Sequence, residues 1–228
     1  MQPSLPAHAQ ATDFLATTTV FDHGRILFAA ISGSHMWNLA TAESDIDVRL
    51  VYTDPLSKLL SLHPGRDTIE GIVGLIDYQG YEVAKFFNML NNHNGNAVRL
   101  LLCPPALRLP SLPYHSIDWV ALGQRFLTKR LVRYYEGYAH SQRKRALSEK
   151  GSKALVYTFR EIFEGIALFE TGQILHDWSV LYQYIKDRGY CTGRLLDMAM
   201  TEYAERAGHN SLSAEHWNDF YIEWEQLV

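Results

Sequence analysis

The sequence predicts an α+β fold in which a strand-bearing first half is followed by an all-helical region. Three observations carry that expectation. Apolar residues fill Arg25 to Ser32 almost without interruption, as in a strand covered on both faces, whereas Ile46, Val48, Leu50 and Tyr52 alternate with polar residues at a period of two. Leu109 to Pro113 is a Pro-rich break, which sets a boundary near residue 110 between a core over 1–110 and a helical domain over 111–228. Beyond it apolar residues recur at helical spacing, best seen in Leu155, Val156, Phe159, Ile162, Phe163, Ile166 and Phe169.

In chain order, the first dozen residues, rich in Pro, Ala and Gln, read as a peripheral lead-in, and Thr12 to Asp22 as a short helix or loop. Arg25 to Ser32 is the first strand, His35 to Ala42 a short helix, and Asp45 to Thr53 the second strand, stopped by Asp54-Pro55. Leu56 to Leu62 reads as a helix broken by His63-Pro64-Gly65-Arg66. Thr68 to Tyr78 follows as a strand or hairpin with Asp77 at its end. Helices are expected over Tyr81 to Asn91 and Asn94 to Leu102, then over Trp119 to Ser148, Ser152 to Thr171 with Gly172 as its cap, Trp178 to Asp187, Gly193 to Ala207 and Ala214 to Leu227.

At 228 residues the chain is long enough to bury a substantial core. Its formal net charge of −4 argues against a generally basic nucleic-acid binder. The stretch from Arg125 to Arg145, the most basic, reads first as a solvated helix face and second as a polyanion surface. Two distant cysteines, Cys103 and Cys191, make no disulfide framework, and none of the 10 histidines has zinc-site spacing. With no signal-like start and no membrane-length apolar run, a soluble, cytoplasmic protein with no membrane partner is expected.

The chemistry concentrates between Ile31 and Tyr52. Asp45 and Asp47 stand at i and i+2 on a strand, so their carboxylates leave one face, an arrangement that suits a hard, oxygen-liganded divalent cation such as Mg²⁺. Upstream, Gly33-Ser34 turns the chain sharply out of the preceding strand, where backbone N–H groups and the Ser34 hydroxyl can approach a phosphate. Arg49, two residues after Asp47, shares the face of the aspartates.

Gly-Ser, a spacer and Asp-Ile-Asp together resemble the signature of the DNA polymerase β superfamily of nucleotidyltransferases. The segment from Ile76 extends the likeness to the predicted nucleotidyltransferases associated with RNA ligases, the YcgL/RlaP-like group. There Asp77, then Gly80-Tyr81-Glu82 with Lys85, then Asn94, then Cys103-Pro104 match the pattern. Lys153, Tyr157, Arg160 and Gly165 to Gly172 look like the helix that follows the core in that group. Where the group often has an acidic residue before a Trp-Leu pair, this chain has Arg99-Leu100-Leu101.

The resemblance implies a small polymerase-β-like mixed sheet with flanking helices and a C-terminal helical region. It also implies transfer of a nucleoside monophosphate from an NTP, with ATP the expected donor, to an acceptor hydroxyl on RNA or protein. Asp45, Asp47 and a third carboxylate would hold two Mg²⁺ ions. Asp77 fits that third position, with Glu82 its rival as an acid in a first helical turn. Gly33 and Ser34 would hold the outer phosphates, and Arg49, Lys85 and Arg160 are the candidate phosphate-neutralising cations. A sugar-nucleotide transferase using Asp-x-Asp is the competing enzyme class, and a catalytically silent nucleotide-binding regulator of the same fold the competing non-enzyme. The acceptor, the NTP and the oligomeric state stay open.

Overall fold

The computed structural model of the chain describes residues 5–18, 25–62, 66–110, 117–149, 151–190, 194, 196–198 and 200–201. By packing the chain divides into two units, Met1–Ala40 with Asp45–Leu127, and Thr41–Ser44 with Thr128–Val228.

The first unit is built on a four-stranded sheet in the order β1-β2-β4-β3, from β1 (Arg25–Ile31), β2 (Ile46–Thr53), β3 (Thr68–Val73) and β4 (Ile76–Glu82). β1 and β3 each pair antiparallel with their neighbour, and β2 and β4 run parallel, so the sheet is mixed, as the resemblance implies. Of the two readings of Thr68 to Tyr78, a strand or a hairpin, the structure has the hairpin. Gly74, at φ 61°, turns the chain between Val73 and Ile76, as a two-residue hairpin with glycine first requires. Asp77 therefore lies at the start of β4 rather than at a strand end.

Period-two alternation sorts the sheet into two faces. Ile46, Val48 and Leu50 of β2 and Ile76 and Tyr78 of β4 are buried together. The helix α1 (Leu5–Thr17) packs here, with the Phe14 ring 5.2 Å from that of Tyr78. Ala7, Ala11 and Phe14 are buried, so the N-terminal segment is part of the core and not a peripheral lead-in. The opposite face carries Asp47 and Arg49 from β2, Asp77, Gln79 and Tyr81 from β4, and Glu70 and Ile72 from β3. β3 is an edge strand, and Ile72 and Val73 are exposed on it.

Short helices complete this unit: α2 (Gly33–Met36), α3 (Leu56–Leu59), α4 (Val83–Asn91), α5 (Gly95–Leu101) and α6 (Trp119–Arg125). Asn94 caps α5 by accepting from the Ala97 N–H at 3.2 Å. Gly123 of α6 lies against α5, where a Cβ would stand 2.9 Å from that of Leu101, which is why α6 groups with the first unit although it follows the Pro-rich break.

The second unit contains α7 (Leu131–Glu149), α8 (Ser152–Thr171) and α9 (Trp178–Asp187). The helix expected over Trp119 to Ser148 is thus two, interrupted after Arg125. α8 and α9 have their expected bounds, and α8 ends on Gly172 in the left-handed conformation, φ 70°. The helices expected over Gly193 to Ala207 and Ala214 to Leu227 lie largely or wholly outside the described residues, as does Cys191. Among the described residues, no helix is long and apolar enough to cross a membrane.

Since α1 is held to the sheet through a buried aromatic contact, Phe14→Ala should lower stability by about 3 kcal/mol, the usual cost of deleting a buried ring. The urea midpoint read by tryptophan fluorescence measures this, and an unchanged midpoint would remove α1 from the core.

Candidate active site

β1 leads directly into the candidate site. Its apolar run ends at Ile31, opposite Val48, and the ladder continues one step further with the Ser32 N–H donating to the Asp47 carbonyl at 2.7 Å. The next residue, Gly33, has φ 58°, a left-handed conformation that costs an L residue about 1–2 kcal/mol. A second constraint is steric. A Cβ on Gly33 would fall onto the Asp47 carboxylate and lie 2.9 Å from Asp47 Cβ. Glycine is thus required both for the turn and for the approach of Asp47.

The carboxylates are gathered by strand pairing. In the parallel register of β2 and β4, Asp47 stands opposite Asp77, and both side chains leave the polar face. Asp45 is exposed and immediately precedes β2, whose first N–H, at Ile46, donates to the Leu75 carbonyl of the β3–β4 turn at 2.8 Å. Glu82, the rival third carboxylate, is at the other end of β4, opposite Tyr52. It is 6% exposed and caps α4, accepting from the Ala84 N–H at 2.6 Å. That cap satisfies one of the otherwise unpaired N–H groups of a helix start.

Arg49 lies between the two aspartates. Its Nη2 donates to Asp47 Oδ1 at 2.7 Å, and its Nη1 stands 3.7 Å from Asp77 Oδ1. The same Nη1 donates to the main-chain carbonyls of Asp77 at 3.1 Å and Val48 at 3.3 Å. One planar guanidinium therefore ties β2 to β4 while facing both carboxylates.

Two polar atoms of the Gly-Ser turn are buried with no hydrogen-bond partner among the described residues: Ser34 Oγ and His35 Nε2. Ser34 is 5% exposed, so its hydroxyl bears a desolvation cost that a ligand would relieve. Burial pulls the His35 imidazole below its ordinary pKa, opposed by the charge of Asp45 and a hydrogen bond to the Asp45 main chain. The turn is braced from α5, where buried Arg99 lies over the ring of buried Trp37, 5.2 Å from its centroid. Sequence reasoning treated Arg99 only as a departure from a pattern. A lone cation within Ala97-Val98-Arg99-Leu100-Leu101 was the signal that something apolar and aromatic covers it.

One of the expected phosphate cations, Lys85, is not brought to these residues. Lys85 is on the first turn of α4, which follows the far end of β4, where Glu82 lies about 16 Å along the strand from Asp77 at ~3.3 Å per residue. It pairs with Asp67 at 3.0 Å and holds that carboxyl below its ordinary pKa. Arg160 belongs to the second unit, on α8. There its guanidinium is buried with Glu161 and with Glu164, whose Oε2 is 3.3 Å away. Glu164 in turn accepts from the Tyr135 hydroxyl at 2.5 Å.

Among the described residues no three His, Cys, Asp or Glu side chains converge as a ready-made metal cage. The donor set nevertheless suits a hard cation, since Asp45, Asp47 and Asp77 offer oxygen alone and the lack of a side chain at Gly33 admits the Asp47 carboxylate.

A family model described as the RNA repair pathway DNA polymerase beta family matches residues 7–211. Among curated proteins, the chain is similar to the uncharacterized protein MJ0002 of Methanocaldococcus jannaschii. The two are 27% identical over 161 residues, covering 67% of this chain and 64% of that protein. It is also similar to the uncharacterized protein YcgL of Bacillus subtilis, 34% identical over 71 residues, or 31% of this chain and 27% of that protein. The chain thus spans less than two thirds of the length of these relatives.

Gly33→Ala should meet both constraints at once. Backbone strain alone predicts a loss of about 1–2 kcal/mol, and displacement of the Asp47 carboxylate adds to it. Gly74→Ala, at a positive φ but with open space around the Cβ position, isolates the strain. If thermal melts show Gly33→Ala no more destabilised than Gly74→Ala, the steric half of this account is wrong.

Proposed function

The chain belongs to the RNA repair pathway DNA polymerase beta family, and from that premise we propose that it transfers a nucleoside monophosphate from an NTP, with ATP the expected donor, to an acceptor hydroxyl on RNA or protein. The observation that supports this most directly is the shared register of Asp47 and Asp77 beside a Gly-Ser turn whose buried Ser34 hydroxyl has no partner among the described residues.

In this reading Asp45, Asp47 and Asp77 hold Mg²⁺, two ions in the active complex. When bound, these supply charge neutralisation at the reacting phosphate and activation of the acceptor oxygen. Ser34 donates its hydroxyl to an outer phosphate oxygen, and the turn at Gly33 lets the main chain approach the same group. Asp77, at 40% side-chain exposure the more open of the strand-paired aspartates, is the group to take the acceptor's proton. Glu82 has no part in the chemistry, because its carboxylate is committed to capping α4. Lys85 is left out of the phosphate site on the same ground, being engaged by Asp67, and within its own unit Arg160 is committed to Glu161 and Glu164.

A second reading, a catalytically silent nucleotide-binding regulator of the same fold, draws on one observation: Arg49 already bridges the two strand aspartates.

One experiment separates the two. Purified protein is incubated with each NTP labelled at the α-phosphate, Mg²⁺ and total RNA, beside Asp47→Asn, Asp77→Asn and Glu82→Gln. Label should enter RNA or protein with the wild type and with Glu82→Gln, and fall by at least about 100-fold with either aspartate variant, the scale expected when a charge-stabilising group at a reacting centre is removed. Label independent of Asp47 would defeat the enzymatic reading. Nucleotide binding without transfer would favour the regulator.

A further inference from the structure

Two carboxylates at one level of adjacent strands repel, and the first unit answers with a cation of its own. Arg49 is joined through one guanidinium to Asp47 Oδ1, to the main-chain carbonyls of Asp77 and Val48, and, at 3.7 Å, to Asp77 Oδ1. Its side chain is 24% exposed and that of Asp47 17%, so the pair is partly shielded from water but reachable from it. A divalent cation held by Asp47 and Asp77 would need the oxygens that the guanidinium now faces.

We propose that Arg49 is the resident counter-ion of the Asp47–Asp77 pair and a selectivity element, excluding free divalent cations and yielding only to a cation that arrives with a nucleotide. The proposal rests on the nucleotidyl-transfer reading of the same residues.

The argument is one of charge and exchange. The arginine side chain is a fixed positive charge in a planar fork. If a free cation displaced it, the guanidinium would leave its carboxylate partners and gain no anion, in a partly dry place where unpaired charge is costly. A metal–nucleotide complex differs because its phosphates supply the missing anion, and guanidinium–phosphate pairing is bidentate and strong. Metal and nucleotide thus favour each other's binding, and by thermodynamic linkage the coupling is reciprocal. Arg49 serves as a positioning residue before loading and a phosphate ligand after it.

Mn²⁺ binding, followed through the free-ion paramagnetic resonance signal, tests this without turnover. The proteins are wild type, Arg49→Met, Arg49→Lys and Arg49→Met/Asp47→Asn, each with and without α,β-methylene-ATP. Circular dichroism confirms folding, because Arg49 also ties β2 to β4. The wild type should bind Mn²⁺ weakly alone and tightly with the nucleotide. Arg49→Met should bind Mn²⁺ alone about tenfold tighter, equivalent to ~1.4 kcal/mol, and gain less from the nucleotide. Arg49→Lys, which keeps the charge, should stay near the wild type, and Asp47→Asn should abolish the gain. If Arg49→Met takes up free Mn²⁺ no better than the wild type, or Arg49→Lys gains as much, the counter-ion role is overturned while the metal site stands. If Asp47→Asn leaves every Mn²⁺ affinity unchanged, the metal reading fails, and this proposal with it.

Discussion

Neighbouring strands lie about 4.8 Å apart, so the parallel pairing of β2 with β4 places Asp47 opposite Asp77 and sets two like charges side by side on one face. Much of the first unit serves to keep them there. The β3–β4 hairpin sets the register through Gly74, and β1 delivers a glycine where any larger residue would displace the Asp47 carboxylate. Phe14 and the buried residues around Tyr78 hold the sheet's other face. Arg49 supplies the compensating charge. Asp47 and Asp77, placed on paired strands, are kept in position by the hydrogen-bond ladder itself.

The legible parts of the sequence were those whose signal is local. α8 has its expected bounds because its apolar residues repeat at helical spacing and a glycine in the left-handed region follows. The Gly-Ser turn and Asp45-Ile46-Asp47 could be read from residue type and distance alone. Other features depended on pairing partners. Ile69, Ile72, Val73, Leu75 and Ile76 form one apolar run that reads equally as a strand or a hairpin, and the conformation of Gly74 decides for the hairpin and moves Asp77 to a strand start. Whether Asp77 or Glu82 faces Asp47 was undecidable without the register, since the two lie at opposite ends of β4. The first half of α1 was missed, and its helix was expected only from Thr12, because proline and polar residues hid Ala7, Ala11 and Phe14, a sparse but helical stripe.

The helical unit has its own polar centre. Arg160, Glu161 and Glu164 are 2%, 0% and 0% exposed, and Tyr135 of α7 reaches Glu164 across the helix pair. Removing one member of such a buried network leaves a charge without compensation and is typically costly, whereas exchanging the whole set for apolar residues often is not. An arginine so engaged is poorly suited to follow a substrate, and a matching residue type in a family pattern does not by itself identify its task. The same caution applies to Lys85, whose place in a motif says nothing of which end of β4 its helix follows.

β3 closes one side of the sheet and has no strand beyond it among the described residues, while Ile72 and Val73 face outward near its end. An open edge offers unpaired N–H and carbonyl groups to any extended peptide, and proteins ordinarily protect such edges with charge, proline or short length. Here Glu70 is the charged residue on a strand of only six residues. Among the described residues, aggregation through intermolecular strand pairing is thus opposed by little more than shortness and one carboxylate, a vulnerability set by the same hairpin that carries Asp77 to the polar face.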